Sequence, residues 1–138
     1  MVAEGKIIIE TGSPEGSLVA LDSKNGSVVW RGGGHEAGYA SPVLRKSAPS
    51  EILIFNQFGL SVHDLENGQE VKSYQHKTRF GVNAAQPLDL GSNVLITSAY
   101  GKGAALVNLN GSNPQAIWES EAISCQMASL VYKGGYAF

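Results

Sequence analysis

The feature that most constrains the fold of this chain is a short turn motif that recurs with a period of roughly 40 residues. The motif reads Ala-Leu-Asp-Ser-Lys-Asn-Gly at Ala20–Gly26 and Val-His-Asp-Leu-Glu-Asn-Gly at Val62–Gly68, which is 42 residues later. A third copy, Val-Asn-Leu-Asn-Gly at Val107–Gly111, has a turn that is one residue shorter. Such a period indicates a repeat architecture in which each copy is one supersecondary unit.

Each copy of the motif predicts a β-hairpin. Asn-Gly between two β-rich runs is a strong hairpin signal, because both residues tolerate a positive φ. An Asp three residues before the Asn can accept the N–H groups of the turn, and a Trp in the following arm can pack between units. The residues of this structural motif are Asp22, Gly26, Trp30, Asp64, Gly68, Asn108, Gly111 and Trp118.

Short β-branched runs bounded by Gly, Pro or Asn predict strands along almost the whole chain. The second unit has four predicted strands, of which the run Glu51–Asn56 is apolar through its middle and is expected to be buried on both faces. The first unit is expected to lack its first strand, and the fourth to contain only about two. The predicted units, each a four-stranded meander or part of one, are 5–31 (partial), 39–75, 83–120 and 126–138 (partial).

Repeated four-stranded meanders with a Trp between them are typical of a β-propeller. Ala20, Asp22, Gly26 and Trp30 resemble the repeat Ala-x-Asp-x-x-Thr-Gly-x-x-x-Trp of the pyrroloquinoline-quinone-type propellers, with Asn25 in place of Thr. This family includes quinoprotein alcohol dehydrogenases, BamB-like proteins and cofactor-free exported proteins. The resemblance implies an all-β propeller and a periplasmic or extracellular location, although Met1–Ile9 has no signal-peptide pattern.

Three and a half blades do not close a propeller, for which four to eight is typical. We therefore expect the chain to be a segment of a longer protein. An alternative is a homo-oligomer, in which the terminal half-blade of one copy completes the first unit of another and removes an open strand edge.

The loops that join successive blades are the predicted site of function, since loops on a rigid scaffold commonly carry it. The stretches Arg31–Tyr39 and Gln75–Asn83 hold more ionisable and aromatic residues than turns require. The hypothesis is a central polar mouth, and the alternative is a solvated loop surface. The predicted ligand-binding residues are His35, Glu36, Arg79, Asn83, Tyr100 and Lys102.

The sequence favours a non-enzymatic binding or scaffold module, with protein or carbohydrate as its partner. In the quinoprotein dehydrogenases the cofactor lies under a vicinal disulfide and beside calcium, and Cys125 alone cannot form that disulfide. No catalytic residue and no metal site is predicted, because the His, Asp and Glu residues lack the spacing of metal-binding motifs. The alternative hypothesis is part of a dehydrogenase that uses pyrroloquinoline quinone and calcium.

Composition argues against two further classes of partner. The net charge is −2 and the ten basic residues are scattered, which is unlike a nucleic-acid-binding surface. No apolar run approaches the roughly 20 residues of a membrane-spanning helix. Neither observation identifies a ligand.

Overall fold

The computed structural model describes all residues from Met1 to Phe138, and these form strands, turns and loops with no helix. Three sheets have four antiparallel strands each, and consecutive strands are neighbours in every sheet. This topology is the meander that the repeat predicts, and the all-β prediction is confirmed. We call the three sheets blades 1, 2 and 3 in chain order.

The blades have equivalent strands. Blade 1 contains β1 (Val2–Ala3), β2 (Lys6–Ser13), β3 (Gly16–Asp22) and β4 (Val28–Gly32). Blade 2 contains β5 (Val43–Leu44), β6 (Glu51–Phe55), β7 (Gly59–Asp64) and β8 (Glu70–Gln75). Blade 3 contains β9 (Leu88–Asp89), β10 (Asn93–Ser98), β11 (Gly103–Asn108) and β12 (Gln115–Ser120).

Blade 1 has the first strand that the sequence was expected to lack. Val2 pairs with Ile7 and Ala3 pairs with Lys6 across the two-residue turn Glu4-Gly5. Both turn residues have a positive φ, 46° and 72°, as a type I′ hairpin turn requires. The prediction was wrong because a two-residue strand carries no periodic pattern.

The partial fourth unit, in which about two strands were expected, contains β13 (Tyr132–Lys133) and β14 (Tyr136–Ala137), which pair with each other. The residues before β13 lie along β10. The backbone N–H of Cys125 donates to the Thr97 hydroxyl at 3.1 Å, and this hydroxyl donates to the carbonyl of Ile123 at 3.2 Å.

The apolar core lies between the blades. Strand β6 is buried on both faces, as predicted, because successive side chains point to opposite neighbours. Ile52 and Ile54 belong to the core between blades 1 and 2, whereas Leu53 and Phe55 belong to the core between blades 2 and 3. An uninterrupted apolar strand therefore marks a sheet that is packed on both sides.

A buried arginine also joins blades 2 and 3. Arg45, which follows β5, is 6% exposed and pairs with the carboxylate of Glu51. Its Nη2 donates to the carbonyl oxygen of Gly91 in blade 3 at 2.8 Å. Neighbouring blades are thus held by hydrogen bonds as well as by apolar packing.

Candidate functional site

The recurring Asp-x-x-Asn-Gly motif forms the turns between the third and fourth strands of blades 1 and 2. Asp22 Oδ1 accepts the N–H groups of Lys24 and Asn25 at 2.8 and 3.0 Å, and Asn25 Oδ1 accepts the N–H of Ser27. The turn that begins at Asp64 repeats all three bonds. These side chains are occupied by their own turn, which assigns them to structure.

The expected role of Asn-Gly in these turns was partly wrong. Gly26, Gly68 and Gly111 have φ between 74° and 77°, but none of the Asn residues before them has a positive φ. The Asp side chain wraps a longer loop in which only the Gly needs the left-handed conformation. In the third copy, Asn108 Oδ1 accepts only the N–H of Asn110, at 2.7 Å.

Loops that cross from one blade to the next meet the turn between the second and third strands of the following blade. The N–H of Gln57 donates to the carbonyl oxygen of Glu36, and the His35 ring stacks on Phe58 with centroids 4.4 Å apart. In the next pair of blades, Phe80 packs edge-on against Tyr100 with centroids 5.0 Å apart. We call the loops 33–42 and 76–87 together with the turns 56–58 and 99–102 the crossover surface.

His35 and Glu36 line an open groove in this surface. The groove has a volume of about 430 Å³ and only one apolar lining residue, Phe58. Lys77, Thr78 and Gly81 from the next crossover loop form its other side. It is a shallow polar groove that could hold an extended chain or a sugar, and it does not enclose a ligand.

A polar network runs from His35 into blade 2. His35 Nε2 lies 3.3 Å from Glu70 Oε2, which lies 3.8 Å from Nε2 of the buried His63. His63 Nδ1 faces the carbonyl of Gly68, so this nitrogen carries the proton and Nε2 accepts from the Ser61 hydroxyl. Burial is the main cause that lowers the pKa of His63. The inner part of this network therefore holds a neutral histidine in place.

Arg79 and Tyr100 lie in a second cluster, around Phe80. The guanidinium carbon of Arg79 is 5.3 Å from the centroid of the Phe80 ring. The Tyr100 hydroxyl accepts from Gln126 Nε2 at 2.6 Å. Phe80 is 61% exposed and Tyr100 is 42% exposed, so the cluster presents aromatic surface to solvent.

Lys102 belongs to a third group, with Glu119 and Tyr74. Lys102 Nζ is 3.6 Å from Glu119 Oε1, which also accepts from the Tyr74 hydroxyl at 2.6 Å. The hydrogen bond from Tyr74, and then the charge of Lys102, lower the pKa of Glu119. Burial, followed by the same hydrogen bond, raises the pKa of Tyr74. Lys102 is thus engaged with the edge of blade 3.

Asn83 does not lie at the surface. It is fully buried, and its Nδ2 donates to the carbonyl oxygens of Asn56 at 2.8 Å and His76 at 3.0 Å. Its Oδ1 accepts from the Ser98 hydroxyl at 2.6 Å. The expectation that Asn83 lines a mouth is corrected by this geometry, because its side chain ties three segments of blades 2 and 3 together.

The six predicted residues therefore do not form one mouth. Two line the groove, two flank Phe80, one pairs at a blade edge and one is buried. Residues that the prediction missed are Phe58, Lys77 and Phe80. The sequence signal for these residues was the run Lys77-Thr78-Arg79-Phe80, which has two cations and an aromatic residue where a turn requires none of them. Only the fold brings Phe58 and Tyr100 to that run.

No three His, Cys, Asp or Glu residues lie close enough together to hold a metal ion. Trp30 is 8% exposed and packs between blades 1 and 2, as expected for the Trp of the repeat. No helix in the structure is long and apolar enough to cross a bilayer.

Comparison with known proteins identifies a family. The sequence profile described as outer membrane protein assembly factor BamB matches residues 1–138. The structure is similar to the crystal structure of BamB from Moraxella catarrhalis, with a TM-score of 0.56 and 17% identity. The similarity covers 95% of this chain and 36% of that chain. No curated protein matches the chain in sequence. The predicted resemblance and the propeller fold are confirmed.

Proposed function

Because this chain belongs to the family of the outer membrane protein assembly factor BamB, we propose that it is a non-enzymatic module that binds another protein through its crossover surface. The name of the family describes a factor in the assembly of outer membrane proteins. The chain spans about a third of the length of the solved BamB (36%), so a partner of the whole protein can have further contacts elsewhere.

The observation that carries the proposal is the exposure of aromatic side chains on the crossover surface. Tyr39 is 73% exposed, and Phe80 and Tyr100 are exposed by 61% and 42%. Aromatic residues and Arg are enriched at the centres of protein interfaces, where they bury large area at low entropic cost. The blades beneath hold these side chains on a rigid base, which lowers the cost of binding.

Site-specific photo-crosslinking in cells that carry the full-length protein tests this proposal. A photoreactive amino acid replaces Phe80 on the crossover surface or Asn110 in the turn at the opposite end of β11. The proposal expects one discrete crosslinked protein from position 80 and none from position 110. Equal crosslinking from both positions, or none from position 80, would contradict it.

Carbohydrate remains the alternative ligand, because the groove beside Phe58 is polar and the ring is half-buried. Titration with soluble glycans, followed by the fluorescence of Trp and Tyr, distinguishes the two. The protein-binding proposal expects no saturable change.

The dehydrogenase alternative has a separate test. When pyrroloquinoline quinone and calcium are added to a quinoprotein, the absorbance of the bound cofactor would appear and the melting temperature would rise. The non-enzymatic proposal expects neither change in this chain or in the full-length protein, and a saturable rise in melting temperature would overturn it.

A further inference from the structure

We infer that the crossover surface recognises an acidic, extended protein segment that carries apolar side chains. This inference rests on the proposed function and specifies the chemistry of the partner. Of two cations, Lys77 directly precedes a tight turn over residues 78–81 and Arg79 lies within that turn, and each is placed against an aromatic ring.

The first of these cation–aromatic groups consists of Arg79, Phe80 and Tyr100. Arg79 is exposed and makes no ion pair, so its guanidinium is held over the Phe80 ring with its donors open to solvent. An Arg in this arrangement can bind a carboxylate with two parallel hydrogen bonds. The exposed edge-on pair of Phe80 and Tyr100 beside it offers apolar contact.

The second cation–aromatic group consists of Lys77, Phe58 and His35. Lys77 Nζ is 5.8 Å from the centroid of Phe58, whose other neighbour is the stacked His35 ring. Lys77 is exposed and makes no ion pair. It lines the groove of about 430 Å³, into which a side chain of the partner can extend.

The turn that contains Arg79 fixes its position relative to Lys77, from which only Thr78 separates it. The N–H of Gly81 donates to the carbonyl oxygen of Thr78 at 3.2 Å, and the Thr78 hydroxyl donates to the carbonyl of Val82 at 3.1 Å. Thr78 itself is buried. The two cations are therefore presented by an ordered turn, which favours a partner with more than one carboxylate.

The acidic groups nearest these cations leave the charge of Arg79 the less compensated of the two. Glu70 faces His35 and Glu119 faces Lys102, so each already has a basic neighbour. Glu36 is exposed and lines the groove opposite Lys77. Charge complementarity thus favours carboxylates that lie toward Arg79, whose guanidinium makes no ion pair.

Tyr100 supplies an independent observation that points to binding. It is one of two non-glycine residues in the chain with a positive φ, at 61°, and it forms a two-residue turn with Gly101. Asn, Asp and Gly adopt this conformation readily, whereas a bulky residue there is an outlier. An exposed Tyr held in an unfavourable conformation is explained if its ring is needed for contact with a partner.

The inference is tested with a fluorescent eight-residue peptide of alternating Asp and Phe and a control peptide with Lys in place of Asp. Anisotropy with the full 138-residue chain is expected to show binding of the acidic peptide only, weakened by added salt. Arg79→Ala and Lys77→Ala should each weaken it about tenfold, the scale of one charge-assisted hydrogen bond. The matched control, Lys24→Ala, removes an exposed cation in the blade 1 turn and should leave binding unchanged.

Tyr100→Asn separates binding from folding, because Asn suits the left-handed turn. We expect this variant to melt no lower than the parent chain and to lose most of its affinity for the acidic peptide. Equal affinity for the lysine peptide, or equal weakening by Lys24→Ala, would overturn the inference. If neither peptide binds while position 80 still crosslinks to a protein, the acidic segment is excluded and the proposed function stands.

Discussion

The indole nitrogen of Trp30 donates a hydrogen bond to the carbonyl oxygen of Leu65 at 3.1 Å, and this bond joins β4 of blade 1 to the last turn of blade 2. The Trp30 ring also packs on Gly68, where a Cβ would lie 2.5 Å from Cε3. The Trp and the Gly of the repeat thus contact each other across successive blades. The motif forms a local hairpin within each blade, and its Trp and Gly also make a contact between two successive blades.

Blade 2 makes the same connection with a different residue. Lys72 occupies the position of Trp30 in the repeat, 42 residues on, and its Nζ donates to the carbonyl oxygen of Leu109 at 2.8 Å. Leu109 occupies the position of Leu65, and each has an N–H that donates to a serine carbonyl in its own blade. The departure of Lys72 from the family pattern preserves a hydrogen-bond donor and loses the aromatic ring.

Lys72→Met is expected to lower the free energy of unfolding by about 1–2 kcal/mol, because the Leu109 carbonyl loses a charged donor. Lys72→Arg, which keeps N–H donors, should recover part of this loss. Urea denaturation of both variants, beside Lys24→Met as an exposed control, provides the measurement. A loss in Lys24→Met equal to that in Lys72→Met would show that the bond to Leu109 contributes nothing.

Gly68→Ala is expected to destabilise the fold more than the same change at Gly26. Both glycines have φ near 75°, so both variants carry the cost of a left-handed Ala, about 1–2 kcal/mol. Only the Cβ at position 68 would collide with Trp30; at Gly26 nothing lies within 4 Å. The collision should add about 1–3 kcal/mol.

Thermal unfolding of Gly68→Ala, Gly26→Ala and Gly111→Ala measures this difference directly. Gly111 has a φ of 77° and an open environment, so it is a second control. Equal losses of stability in the three variants would mean that Trp30 accommodates the added Cβ at position 68 without a cost in free energy.

Glu10 is expected to make stability fall as the pH rises. Its Oε1 accepts from the N–H of Gly38 at 3.2 Å, while Oε2 is buried without a partner. Burial raises its pKa from 4.5 to about 7. The folded chain therefore holds a proton on Glu10 that the unfolded chain releases. The stability that this proton contributes is fully present below pH 4.5 and is lost as the pH rises through 7.

Glu10→Gln should thus raise the free energy of unfolding at pH 8 by about 1–2 kcal/mol, allowing for solvent screening, and change little at pH 4. Urea titrations at the two pH values provide the measurement. Glu15→Gln, at an exposed turn, is the control. A gain that is the same at both pH values would mean that the charge of Glu10 is not its cause.

His76 is expected to have the opposite pH dependence. It is 1% exposed, and neither ring nitrogen has a hydrogen-bond partner, although a backbone group of Gly103 approaches the ring. Burial, and then the charge of Lys102, lower its pKa from 6.5 to about 4. Stability that is present above pH 6.5 is therefore lost as the pH falls toward 4.

His76→Phe keeps a ring against Phe55, 5.6 Å away, and removes two unsatisfied polar atoms. We expect equal or greater stability at pH 7 and a smaller loss between pH 6.5 and 4. The loss should not vanish, since the pKa of His63 is also lowered. An unchanged pH dependence in chemical denaturation would assign the whole effect to other groups.

The repeat allowed the blades to be predicted because its signals are local. The turn that Asp22 caps, the apolar run of β6 and the 42-residue spacing are all readable without a partner. The site was less predictable. Arg79 and Tyr100 were predicted to bind a ligand, but their common neighbour, Phe80, was not. Asn83 was also predicted to do so because it is a polar residue in a loop, but it is fully buried.

The sequence by itself determined the hairpins, the all-β class and the family, because turn chemistry and strand periodicity depend on residues that are near each other in the chain. The tertiary structure alone decided which side chains meet. Trp30 reaches Gly68, Lys72 reaches Leu109 and Phe80 reaches Tyr100 only after the blades have packed, since packing depends on the twist and spacing of whole sheets. That packing separates the buried Asn83 from the exposed cations beside it.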